Sequence, residues 1–207
     1  LNSKLDKFSY RVLKEDCLDL PDKVYMKRNV PLTPEQIKAY ESMKKNAIAV
    51  LQNSQTTAAS ALAQMVRLHQ ITCGHLMTDA GEVKYLKNNR VNELLNILEE
   101  IDGKVIIWAI YRHDIKEITK LIGERYGEQS VESYFGDTPD SERQNIVTRF
   151  QDRNDDLRFF VGNPKTGGYG LTLTASHTVV YYSNSYDLET RLQSEDRAHR
   201  ISQTKKV

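Results

Sequence analysis

Near its carboxyl end the chain reads "QSEDRAHRISQ", which sets Gln193, Arg197 and Arg200 at i, i+4 and i+7. On a helix those positions share one face, so two guanidinium groups and an amide would project together. Arginine offers a planar, permanently charged fork of donors that fits phosphate and can offset charge developing on a transferring phosphoryl group. The spacing is equally compatible with a solvated helix on which Glu189, Glu195 and Asp196 balance Arg191, Arg197 and Arg200. The rest of the chain must separate the two.

A second stretch with chemical content is "TGGYGLTLT", Thr166 to Thr174, where Gly167, Gly168 and Gly170 would let backbone N–H groups approach a phosphate or ribose. Thr172 and Thr174 add hydroxyls to it. Alone, such a loop is also an ordinary tight connection after a strand. "GNPKTGG" contains Lys165 and Thr166 but lacks the glycine spacing of a phosphate loop. "LHQITCGH" gathers His69, Cys73 and His75, yet the spacing matches no common zinc pattern and no fourth ligand is evident, so no metal site is expected.

Composition describes a globular chain of 207 residues whose 29 basic and 28 acidic side chains leave a formal charge of +1. That balance neither favours nor excludes nucleic acid, because a basic groove can sit inside a neutral total. No run of about 18 apolar residues is present to span a membrane, and "LNSKLDKFSYR" lacks the apolar centre of a signal peptide. Cys17 and Cys73, far apart, suit a reducing compartment. A cytoplasmic location is expected, nucleoid-associated if the source is a bacterium or phage. Leu1 in place of Met and the ending "TKKV" raise the expectation of a piece of something longer.

Three regions should position the arginines. Residues 1–33 read as an extended lead-in whose "DKVYMKRNVPL" alternates like an edge strand ending at Pro31. Residues 34–102 read as helical: Thr33, Pro34 and Gln36 form a capped start, Gly74 a stop after "TAASALAQMVRLHQIT", and "DAGEVKYL" a hairpin around Gly81. From 103 to 207 apolar runs alternate with helical patterns: "KVIIWAI", "HDIKEITKLIGERY", "SVESYF", "PDSERQNIVTRF", "LRFFVG", "TVVYYS" and "LETRLQSEDRAHR". This predicts an α/β fold with a parallel sheet flanked by helices, preceded by a mainly helical segment. Functional residues should gather beyond the carboxyl ends of the strands, in "YRHD", "FGDT", "GNPKTGGYG" and "SNSYD". Trp108, inside an apolar strand, is expected in the core.

The ordered set "GGYGLTLTASHTVVYYSNSYDLETRLQSEDRAHRISQ" resembles motifs V and VI of the Swi/Snf-type branch of superfamily 2 helicase-like ATPases, and "KVIIWAIYRHD" resembles motif IV. "YFGDTPDSERQNIVTRFQ" is similar to the block between motifs IV and V, and "LKEDCLDLPDKVYMKRNVPLTPEQIKAYESM" to the lead-in of the second lobe. This chain has Thr172 where the nearest family pattern has Asn, and Ser202 where it has Gly. "NSYDLE" stands where the family usually has a tryptophan-containing segment, and these departures point to a bacterial or phage subgroup.

The resemblance implies a second, carboxyl-terminal RecA-like lobe. Its partner would be an amino-terminal RecA-like lobe of the same polypeptide, supplying the GxxxxGK[ST] loop and the Asp–Glu pair that this sequence lacks. ATP and Mg2+ would be bound mainly by that other lobe, and DNA, duplex and held through backbone phosphates, would cross both. Arg197 and Arg200 are then expected as catalytic arginine fingers, Gln193, Gly168 and Gly170 as nucleotide-site residues, and Thr172, Thr174, Thr138 and Arg112 as nucleic-acid contacts. The isolated lobe is expected to be inactive. The alternatives are a strand-separating DNA or RNA helicase lobe and a non-enzymatic docking module.

Overall fold

The computed structural model describes residues 9, 18–52, 58–78, 81–167 and 170–207. Its centre is a four-stranded, wholly parallel sheet, which settles the α/β expectation. In chain order the elements are α1 (Pro34–Gln52), α2 (Ala58–Cys73), β1 (His75–Met77), β2 (Val83–Tyr85), α3 (Arg90–Glu100), β3 (Val105–Trp108), α4 (Arg112–Tyr126), β4 (Val131–Tyr134), α5 (Asp140–Gln151), β5 (Phe159–Gly162), α6 (Pro164–Gly167), β6 (Thr178–Tyr181) and α7 (Leu188–Glu195). The large sheet runs β4-β5-β3-β6.

Alternation along β3 divides the core. Val105 and Ile107 face a cluster with Leu94, Leu98, Ile115 and Ile122, while Ile106 and Trp108 face one with Phe150, Phe160 and Leu173. A parallel sheet covered on both faces needs such continuous apolar strands, and β3 and β5 are buried throughout. Trp108 is fully buried, as expected. Its ring lies 2.8 Å from where a Cβ on Gly162 would stand and 2.7 Å from one on Gly167, so both glycines make room for indole.

The helical segment begins with the anticipated cap. Thr33 N donates to Gln36 Oε1 at 3.1 Å, and Gln36 N donates to Thr33 Oγ1 at 3.3 Å. Gln36 Nε2 also reaches the Ile71 carbonyl at 2.8 Å, tying α1 to the end of α2. Gly74 follows α2 at φ +95°, and β1 and β2 form the anticipated antiparallel hairpin.

Two expectations fail. "DKVYMKRNVPL" is extended but joins neither sheet; its ladder-like bonds are Val24 N to Val207 O at 2.7 Å and Val207 N to Asp22 O at 3.3 Å. A cleft of about 850 Å3 instead separates residues 23–28 from β6. The terminal helix stops at Glu195, so Arg197 and Arg200 lie in turns beyond it. The helical bond fails at Arg197: its N–H turns to Ser194 O at 3.3 Å, and its side-chain Nε takes the Gln193 carbonyl at 2.9 Å that the helix would have used, while Leu173 N holds the Arg197 carbonyl at 2.9 Å.

Candidate functional site

Asp187 starts α7, accepting from Thr190 N at 3.2 Å and Thr190 Oγ1 at 2.7 Å. Those two donors hold its carboxyl below the usual range. Past the helix end the guanidinium groups still meet, though not as neighbours on one helical face. Arg197 Nη1 and Arg200 Nη1 both donate to the Leu171 carbonyl, at 3.2 and 3.3 Å. Arg197 Nε donates to Gln193 O at 2.9 Å, and Arg200 Nη1 also reaches Thr172 Oγ1 at 3.3 Å. The arginine segment and the glycine loop thus share a carbonyl at the carboxyl edge of the sheet.

The acidic neighbours are engaged elsewhere. Glu189 Oε1 accepts from Gln193 Nε2 at 2.8 Å, and Asp196 Oδ1 lies 3.4 Å from Lys23 Nζ. Glu195 Oε1 accepts from Arg191 Nε at 2.8 Å. Among the described residues, neither Arg197 nor Arg200 has a carboxylate within ion-pair distance. Burial, followed by the adjacent Arg200 charge, holds the Arg197 pKa below its ordinary value, with Asp196 opposing. A like charge this near disfavours ionisation of its neighbour.

Arg191 is bound into the fold. Its guanidinium lies 3.3 Å from the Tyr181 ring centroid, and Nη1 donates to Asn184 Oδ1 at 2.6 Å. Its partner Glu195 is only 8% exposed and also accepts from Lys23 Nζ at 3.0 Å and Tyr25 Oη at 2.8 Å. Burial raises the Glu195 pKa, but the donors from Arg191, Lys23 and Tyr25 outweigh it, and the net shift is downward. This hub pins the lead-in segment to the end of α7, two residues before Arg197.

The remaining sequence candidates separate by environment. Gly170 adopts φ +75°, a conformation that favours glycine, whereas Gly168 lies outside the described residues. Thr174 Oγ1 accepts from Gln151 Nε2 at 3.3 Å and meets Ser202 Oγ at 3.3 Å. Arg112 is 69% exposed and pairs with Asp137 at 2.8 Å. Thr138 is buried, and its hydroxyl closes a turn by donating to Ser133 O and accepting from Phe135 N, both at 3.0 Å. That hydroxyl is spent locally and does not face solvent as a phosphate donor would. Cys17 lies outside the described residues, and burial pushes the Cys73 thiol up to about 12.

Residues 86–202 match the helicase conserved C-terminal domain. The chain belongs to that family. It is 28% identical over its whole length to the SWI/SNF chromatin-remodeling complex subunit snf22 of Schizosaccharomyces pombe, covering 13% of that protein. It is 28% identical over 94% of its length to the putative ATP-dependent helicase/translocase YwqA of Bacillus subtilis, covering 22% of it. The chain therefore spans between about an eighth and a quarter of the length of these curated relatives. Among solved structures, the Sulfolobus solfataricus SWI2/SNF2 ATPase core in complex with dsDNA matches at TM-score 0.73 and 25% identity, over all of this chain and 44% of that one. The C-terminal part of the Fun30 ATPase domain matches at TM-score 0.68 and 17% identity, over 91% and 84%. The chain is thus a helicase C-terminal domain with a RecA-like α/β fold, similar to SWI/SNF-type ATPases.

Within this helicase C-terminal domain, sequence reasoning missed the Leu171 carbonyl, the Glu195 hub and Gln203. Gln203 Nε2 donates to Thr174, Ser176 and Ala198 carbonyls at 3.3, 2.9 and 3.2 Å, fastening the glycine loop to the arginine segment. Glu195 left one signal, its i, i+4 relation to Arg191; a backbone carbonyl leaves none. Ser202 adopts φ +82°, a conformation that favours the glycine of the family pattern at that position. No helix of the described residues is long and apolar enough to cross a membrane.

Proposed function

We propose that this chain is the second lobe of a DNA-dependent ATPase that moves along duplex DNA, in which Arg197 and Arg200 act on ATP held chiefly by an amino-terminal RecA-like lobe of the same polypeptide. The observation that carries this reading is the convergence of two guanidinium groups lacking carboxylate partners on one carbonyl oxygen, Leu171 O. That oxygen stands in for an anionic oxygen of a terminal phosphate. The fit is chemical: a planar, charged donor fork meets phosphate oxygens as they gain charge.

Hydrolysis of ATP with Mg2+ supplies the driving energy. Arg197 and Arg200 would leave Leu171 O and neutralise charge on the transferring phosphoryl group. Gln193 Oε1, buried without a hydrogen-bond partner among the described residues, would accept from a hydroxyl or amino group of the nucleotide. Because Leu171 and Thr172 belong to the glycine loop, release of the arginines would free that loop, coupling phosphate chemistry to DNA grip. Thr172, Thr174 and Arg112 would hold backbone phosphates without reading sequence, while Gly170, together with Gly168, would shape the nucleotide site.

The test is DNA-stimulated ATP turnover by the full-length protein, with strand displacement measured in parallel. Turnover raised by duplexes of unrelated sequence, without strand displacement, is expected; displacement at the same rate would make it an unwinding helicase. Absence of turnover with any nucleic acid would leave a docking module. The isolated 207-residue chain should show no turnover, and any DNA binding should weaken steeply with added salt.

A further inference from the structure

On the opposite side of β3 from Trp108, three residues that the ATPase reading does not use come together. His75 opens β1, and His113 and Asp114 lie in the first turn of α4. Their ligand-type atoms all lie within 4.8 Å of one another. The set is enclosed, with side-chain exposures of 3% for His75, 1% for Asp114 and 16% for His113. The Tyr111 ring stands edge-on to His75 at 4.8 Å, and Tyr85 edge-on to His113 at 4.7 Å.

A carboxylate buried this deeply needs partners. His75 Nδ1 approaches Asp114 Oδ1 to 3.0 Å, yet the approach lacks hydrogen-bond geometry. His75 Nδ1 and both Asp114 oxygens are buried with no hydrogen-bond partner among the described residues. The 3.0 Å approach, whose angle misses a hydrogen bond, fits two donors that converge on a third atom, since zinc bonds of about 2.0 Å in a tetrahedron put neighbouring ligands about 3.3 Å apart; the widest spacing of the set, within 4.8 Å, would contract on binding.

We propose that His75, His113 and Asp114 bind a divalent first-row transition cation, zinc foremost, with water completing the shell. Two imidazoles and one carboxylate form a borderline donor set that suits zinc and disfavours magnesium or calcium, which take oxygen ligands. Glu117 Oε2, 3.4 Å from His113 Nε2, adds a carboxylate at the rim. Cys73 and His69, the members of the sequence cluster left out, are otherwise occupied. Cys73 Sγ accepts from Arg90 Nη1 at 3.3 Å, and His69 Nδ1 lies 3.0 Å from the Tyr111 hydroxyl. The cation would tie the β1 hairpin, which precedes the matched family region, to the first turn of α4 inside it.

The experiment uses the 207-residue chain, stripped with EDTA, desalted, and titrated with zinc chloride by calorimetry and with cobalt chloride by visible absorption. One equivalent should bind, cobalt should give a d–d band, and zinc should raise the melting temperature. His113→Ala, at a partly exposed position, should fold in EDTA with nearly unchanged melting temperature and weaken binding at least tenfold. His177→Ala should leave binding unchanged. Absence of both stoichiometric binding and a zinc-dependent melting shift would leave His75 and Asp114 as a buried ion pair and overturn the proposal. Unchanged affinity in His113→Ala would overturn it equally, by placing the ion elsewhere.

Discussion

Glu195→Gln removes the charge at the hub that fixes the arginine segment while preserving side-chain shape. Glu195 is 8% exposed and receives Lys23 at 3.0 Å and Arg191 at 2.8 Å, with Lys23 22% and Arg191 29% exposed. Hydrogen bonds to charged groups contribute about 1.5–3 kcal/mol each, and breaking a fully buried pair costs about 3–5 kcal/mol. Lys23 and Arg191 can rehydrate, and the substituted amide can still accept from Tyr25, so the loss should be about 2–3 kcal/mol. In a domain of this size that lowers the melting temperature by about 4–12 °C. The pH dependence supplies the sign. A carboxyl whose folded pKa is depressed stabilises the fold above its unfolded pKa, and that stability disappears as pH falls through the folded value. The difference between wild type and Glu195→Gln should therefore be constant from about pH 6 to 8 and shrink below about pH 4.5. Circular dichroism melts across this range provide the assay. A difference within about 0.5 kcal/mol at neutral pH, or one that grows on acidification, would refute the hub.

Ser202→Gly relieves a non-glycine residue held at φ +82° and should raise stability by about 1 kcal/mol, read as a melting rise of about 2–4 °C; a fall would show that the Ser202–Thr174 contact matters more than the strain. Gly167→Ala drives a Cβ to within 2.7 Å of the Trp108 ring and should cost about 1–3 kcal/mol, measured by urea denaturation, whereas Gly103→Ala meets no neighbouring atom and should lose only what its φ of +89° demands.

What was legible depended on how local its cause was. The central strands β3 and β5 are short apolar runs, and a parallel sheet covered on both faces produces that pattern in the sequence itself. The cap at Thr33 and Gln36 spans three residues, and the stop at Gly74 is one residue's φ. The end of α7 was hidden because the Arg197 side chain takes the Gln193 carbonyl, and Leu173 and Gln203 then hold the turns that follow from outside the helix. Glu195 read as part of a solvated face because its other partners, Lys23 and Tyr25, lie 172 and 170 residues away. The lead-in alternates like a strand, but alternation does not supply the neighbouring strand on which pairing depends. The convergence of Arg197 and Arg200 on Leu171 was anticipated only as a shared direction, and the turns achieve it without the helix.

The most direct test of the central claim is ATP turnover by the full-length protein carrying Arg197→Ala or Arg200→Ala, with nucleotide affinity and melting temperature measured on the same preparations. Loss of a donor that acts on transition-state charge should lower kcat by about a hundredfold or more, while nucleotide affinity changes much less. Lysine at either position should rescue poorly, because a point charge on a flexible stem lacks the planar fork. Exposed Arg153 is the control, since Arg191 is bound into the Glu195 hub. A kcat within twofold of wild type in both alanine variants, or losses matched by Arg153→Ala, would contradict the assignment of Arg197 and Arg200 to phosphate chemistry.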